Sequence, residues 1–111
     1  MRVLVCGGRE YRNWERLYEV LDGLDVTEVV EGGARGADRL AREWALSRLI
    51  PIKTFKADWK KDGRAAGPKR NQRMLNEATP DLVVAFLGGR GTADMVRRAS
   101  NALVPVQLVL E

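Results

Sequence analysis

Histidine is absent from the sequence and cysteine occurs once. Without an imidazole there is no ready general base near neutral pH, no histidine triad and no histidine-containing metal site. Proton transfer would fall to Asp and Glu, and the grip on any anion to Arg, Lys and backbone N–H groups. The lone Cys6 excludes an internal disulfide and reads as a small buried hydrophobe at a strand end; it fits a reducing compartment, and the cytoplasm is the expected location. No apolar run approaches the ~20 residues of a membrane helix, so no membrane partner is expected. No signal peptide is expected either, since Met1-Arg2-Val3-Leu4-Val5 reads directly as a strand. Repeats, low-complexity segments and linkers are also lacking.

What is present suits one α/β domain spanning residues 1–111, with an ordinary hydrophobic share of 45%. Short apolar runs alternate with helical periodicity. Strands are expected at Arg2–Cys6, Val26–Glu31, Pro51–Phe55, Asp81–Leu87 and Val104–Leu110. Helices are expected at Asn13–Leu24, Ala37–Leu49, Lys69–Ala78 and Thr92–Ala102. Trp14, Leu17, Tyr18, Leu21 and Leu24 form one stripe, and Trp14 and Trp44 are both expected in the core. Regular βα alternation with near-continuous apolar strands implies a parallel sheet covered on both faces.

Three glycine loops each follow a strand and precede a helix: Gly7-Gly8-Arg9, Gly32-Gly33-Ala34-Arg35-Gly36 and Gly88-Gly89-Arg90-Gly91-Thr92. In a parallel sheet all such junctions share the carboxyl edge, where open α/β sheets bind ligands. Glycines admit close backbone approach at helix N-termini, and each loop's arginine offers a planar fork of donors to phosphate. Together they predict an anion site, although none is a Walker A loop or a G-x-G-x-x-G fingerprint. Thr92 is expected to cap the last helix, or to touch phosphate. Asp38 and Asp94 sit in first turns, where they either favour the helix dipole or meet a ligand's sugar or base. The segment Lys53–Arg73 carries eight basic residues against Asp58 and Asp62. It reads as a solvated loop or a lid, with Arg64 or Arg70 facing the anion and Trp59 packing on a base or sealing the loop. The net charge of +4 favours anionic partners.

These loops, with Ala57-Asp58-Trp59, Ala65-Ala66-Gly67-Pro68, Arg70-Asn71 and Gly88 through Asp94, resemble the YspA/YpsA-related SLOG family, which joins the SMF/DprA and LOG proteins of bacteria and their phages. The resemblance implies a Rossmann-like three-layer fold with strand order 3-2-1-4-5. It also implies a nucleotide or nucleotide-derived ligand on the glycine loops, with Arg35, Arg70 and Asn71 in the site, and a homodimer or higher homo-oligomer. Mg²⁺ would accompany a phosphorylated ligand only as a companion; no metal site is read from the residues.

Two alternatives to plain ligand binding stay open. LOG proteins hydrolyse the N-glycosidic bond of a nucleoside 5′-monophosphate, and their signature P-G-G-x-G-T-x-x-E resembles Leu87 to Met95, with Leu87 for the proline and Met95 for the catalytic glutamate. Arg70 would then be the catalytic arginine and Asp94 the replacement carboxylate. DprA proteins bind single-stranded DNA, and Gly33 to Asp38 is similar to their G-x-x-R-G-I-D loop.

Overall fold

Successive side chains of the first strand part to opposite faces, as the two-residue period of a strand requires. Val3 and Val5 enter one apolar layer and Leu4 and Cys6 the other, and all four are buried. The computed structural model describes residues 1–111. Its strands are β1 (Arg2–Cys6), β2 (Glu28–Glu31), β3 (Ile52–Thr54), β4 (Leu82–Phe86) and β5 (Val106–Val109). They form one parallel sheet in the order β3-β2-β1-β4-β5, the Rossmann-like arrangement expected.

Helices α1 (Trp14–Asp22) and α2 (Ala37–Ser47) cover one face. Asn13 caps α1 by accepting from the Arg16 N–H at 3.1 Å. Leu17, Val20 and Leu21 face inward, whereas Trp14 does not. It is 53% exposed and stacks edge-on against Tyr18 with centroids 5.5 Å apart. Helical spacing fixes the direction of a side chain, not whether another element reaches far enough to cover it. Trp44 is buried as expected and donates to Asp22 at 2.9 Å.

The basic segment is not a loop throughout. It folds as α3 (Trp59–Asp62), a 3₁₀ turn at Gly63–Ala65, and α4 (Ala66–Arg73), which continues as a π turn through Met74–Ala78. Asp58 caps α3 through the Lys61 N–H. Pro68, which reads as a breaker, occupies the first turn of α4, where a missing N–H costs little. Met74, Leu75 and Ala78 are buried against the second face of the sheet with Met95 and Ala99. The last two residues belong to α5 (Arg90–Asn101).

Helix α5 starts two residues before the expected position, with Gly89 at its N-cap and the Gly89 carbonyl accepting from Ala93 at 3.0 Å. Thr92 therefore lies within the first turn and is not the cap. From β1 the chain builds outward through β2 and β3, then crosses to β4 on the other side of β1. The helices following β1 and β4 leave toward opposite faces, which opens a crevice between them at the carboxyl edge.

Candidate functional site

A cleft of about 970 Å³ occupies that crevice, at the upper end of the roughly 300–1,000 Å³ usual for small-molecule sites. Gly7, Gly8 and Arg9 line it from the β1 loop, and Gly32 to Arg35 with Asp38 from the β2 side. Gly89 to Thr92 and Asp94 line it from α5. Trp59, Arg64, Arg70 and Asn71 complete the wall from the segment between β3 and β4. Two residues expected at the ligand, Gly36 and Gly88, are not on this wall.

The glycines divide by what a Cβ would meet. At Gly36, where φ is +76°, it would strike the Gly8 carbonyl and the Arg9 backbone. At Gly88 it would strike the Thr92 hydroxyl and the Gly8 N–H. These two serve loop-to-loop packing, which is why they lie behind the cleft. At Gly32 a Cβ would enter the Arg70 guanidinium. Gly89 and Gly91 are different, since nothing lies within 4 Å of either Cβ position. No internal contact requires glycine there, and both open into the cleft.

Helix α5 has no side-chain cap and no acidic residue in its first turn. Its N-terminal N–H groups therefore present uncompensated positive dipole ends. Arg70 lies opposite, donating through Nη1 to the Gly32 carbonyl at 2.7 Å and through Nε to Asn71 at 3.0 Å. Burial lowers the Arg70 pKa, the Asp38 charge raises it, and the neighbouring Arg9 charge lowers it again. The Arg9 guanidinium sits 5.6 Å from the Trp59 ring, so these two residues join the β1 loop to α3 across the mouth. Arg35 stands at the rim, 2.5 Å from Glu10 with both side chains largely exposed.

Asp38 forms the acidic floor. Its Oδ2 accepts from the Gly32 and Ala34 N–H groups, each at 3.2 Å. Burial pushes its pKa up to about 6, the Ala34 hydrogen bond lowers it, and the charge of Glu31 raises it. Glu31 is not among the site residues that the sequence predicts. It is fully buried at the end of β2, accepts from the Gly33 N–H at 2.8 Å and from the Thr54 hydroxyl, and pairs with Arg42 at 3.6 Å. The available signal was a charged residue closing an apolar strand immediately before Gly-Gly.

Asp94 reaches the cleft wall already engaged. It accepts from Asn71 at 3.0 Å, Arg97 at 2.6 Å and Arg98 at 2.9 Å. Burial raises its pKa, but the Asn71 and Arg98 hydrogen bonds and both arginine charges outweigh burial and hold it below the ordinary carboxylate range. It is thus charged at neutral pH. Met95 is fully buried in the core. Cys6 lines the cleft floor, but burial pushes its thiol up to about 12, with Asp38 raising it further and Arg70 opposing. Such a thiol is unreactive.

A model of the YspA, cpYpsA-related SLOG family matches residues 1–61. The Gene 61 protein of Mycobacterium phage D29 is 36% identical over 117 residues, covering 95% of this chain and 93% of that protein. The chain belongs to the YspA-related SLOG family. The family model reaches the first two glycine loops and Trp59 but stops before Arg70 and the third loop. The phage relative extends the similarity across nearly the whole chain. Membership is consistent with a small nucleotide-related ligand, and no helix of this SLOG protein is long and apolar enough to cross a membrane.

Proposed function

We propose that the protein binds a nucleotide-type phosphate ligand in the switch-point cleft, holding it without turnover. The observation that carries this reading is the first turn of α5. Gly89 and Gly91 have no neighbour where a Cβ would go, no side chain caps the helix, and no carboxylate offsets its dipole. A phosphate resting there meets backbone N–H groups, the Thr92 hydroxyl and the facing Arg70 and Arg9 guanidinium groups. Asp38 would accept from a ribose hydroxyl, and Trp59 would offer a face for a base. Membership of the SLOG family supports the ligand class.

The decisive variant is Gly91→Asp. A carboxylate in the first turn favours the helix dipole, so the free protein should melt no lower than wild type. The same charge occupies the phosphate position, so the thermal upshift given by AMP or GMP should vanish. An upshift preserved in the variant removes the α5 turn from the site. If only a single-stranded oligonucleotide stabilises the protein, and only at low salt, the DprA-like reading replaces this one. Free base released from AMP over hours would replace it with hydrolysis.

A further inference from the structure

The two edges of the sheet are built differently. Strand β3 is three residues long, follows Pro51 and carries the exposed Lys53. A short, charged free side is the usual protection of an edge strand. Strand β5 has no such guard. From Ala99 to Leu110 no residue is charged, the longest such run in the chain. Val106 packs beside α5 and Val109 enters the opposite layer, so the two-residue period places Leu108 and Leu110 on the α5 face with Val106. There they are 55% and 73% exposed. Pro105 precedes the strand, and its carbonyl accepts from the Val83 N–H at 2.9 Å. The proline nitrogen, which has no hydrogen to donate, therefore lies on the β4 side. The N–H and C=O groups of Val106 and Leu108 point to the open side. Beyond the strand, Glu111 is already paired with Arg16 at 2.7 Å.

We infer that the open edge of β5 docks a second copy of this chain, β5 against β5 in antiparallel register about a two-fold axis at Leu108. The docking is independent of any ligand in the cleft. An axis at that position lets Leu108 exchange both backbone hydrogen bonds with Leu108 of the partner subunit. It also sets Val106 opposite Leu110 of the partner subunit, and Leu110 opposite Val106 of the partner subunit. One uncharged row thus meets itself with no like charges opposed. No unpaired charge leaves water, because Glu111 is matched by Arg16 within its own chain. An axis at Val106 would instead oppose Leu108 to Val104 of the partner subunit, a position before β5 begins. Pairing ends at two copies, since the joined sheet would run from one guarded β3 edge to the other. The clefts lie at the carboxyl ends of the strands, so an antiparallel join leaves both mouths open and facing opposite ways.

Analytical ultracentrifugation of the full chain gives the first reading, in which wild type should sediment at twice 12.4 kDa at micromolar concentration. Leu108→Lys opposes two ammonium groups at the axis and should weaken the dimer about a hundredfold. Its side chain is exposed, so Tm should stay within about 2 °C. Should that variant fail to fold, Leu110→Lys, placed beyond the end of β5, gives the same reading. Leu49→Lys, at an exposed leucine following α2, should leave the dimer intact. Oxidation then reads the register. The Cα atoms of a hydrogen-bonded antiparallel pair stand about 5.5 Å apart, within disulfide reach. Leu108→Cys should therefore cross-link two copies, whereas Leu110→Cys should not, its two sites lying about 13 Å apart. Cys6 is buried and takes no part. A monomeric wild type, an assembly larger than two, a dimer that survives Leu108→Lys, or cross-linking by Leu110→Cys in place of Leu108→Cys each overturns the proposal.

Discussion

Two stretches of the chain carry nearly the same string: Gly32-Gly33-Ala34-Arg35-Gly36-Ala37-Asp38 and Gly88-Gly89-Arg90-Gly91-Thr92-Ala93-Asp94. Each follows a buried strand, and each places an aspartate six residues after its first glycine. The structure makes them opposites. Gly36 takes φ +76° and delays α2 until Ala37, so Asp38 is the second helical residue and its carboxylate folds back onto the Gly32 and Ala34 N–H groups. Gly91 is helical, so α5 starts at Arg90 and Asp94 falls in the second turn, facing Arg97, Arg98 and Asn71. One loop satisfies its own donors with its own acid. The other leaves its donors open. Two glycines at positive φ, Gly33 and Gly36, thus set the first loop apart from the second, which has none.

The largest effect should come from forcing the two loops to be alike. Gly36→Val places a β-branched residue at positive φ and against the Gly8 carbonyl, so it should cost about 3 kcal/mol or more and lower Tm on the order of 10 °C. Gly89→Ala, by contrast, meets no atom and should leave Tm within about 2 °C while weakening the nucleotide. Equal melting losses in the two variants would erase the distinction between the loops.

Arg70→Ala comes next. It removes the charge opposite α5 and unpairs the Gly32 carbonyl, and should weaken AMP on the order of tenfold by titration. Arg70→Lys should recover only part of that, because a point charge cannot serve Gly32 and phosphate in one plane.

The acidic floor should also register as a pH dependence. Asp38 has a folded pKa of about 6, above its ordinary 3.8. Its protonated form is therefore favoured by folding. The associated stability is fully present below about pH 4 and is lost as pH rises through 6, a change of at most about 3 kcal/mol. Asp38→Asn should flatten the urea-midpoint profile between pH 4 and 7; an unchanged profile assigns the dependence elsewhere. Asp94, held low by its arginines, contributes in the opposite direction: its share is present at neutral pH and fades only in acid. The smallest effect belongs to the rim pair. Arg35→Ala breaks an exposed bridge to Glu10 and should change stability by about 0.5 kcal/mol or less in chemical denaturation.

Much of this was legible in advance, for local reasons. Strand order, the two-faced burial of Val3 to Cys6, and the convergence of Arg9, Asp38, Arg70 and Thr92 on one cleft follow from periodicity, βα alternation and family resemblance. Residue type alone predicts Thr92 as a cap, whereas Gly91 is helical and α5 starts at Arg90. The helical stripe predicts Trp14 in the core, because a stripe has no end until its neighbours are known. Glu31 is marked in the sequence only by its place between an apolar strand and Gly-Gly; its burial depends on partners brought by the fold, Thr54 and Arg42.

The sequence by itself determined the parallel sheet, its covered faces and the edge where three glycine loops meet. Those features depend on side-chain period and on the handedness of βα connections, which are properties of short stretches. Only the tertiary structure decided which glycines serve packing and which face open space, because that depends on atoms brought from elsewhere. Arg70 fills the space at Gly32 and the Gly8 carbonyl fills it at Gly36, whereas nothing approaches Gly89 or Gly91. The same separation applies to the two aspartates: their spacing is written in the chain, but the charges that pull their pKa values apart are assembled by the fold.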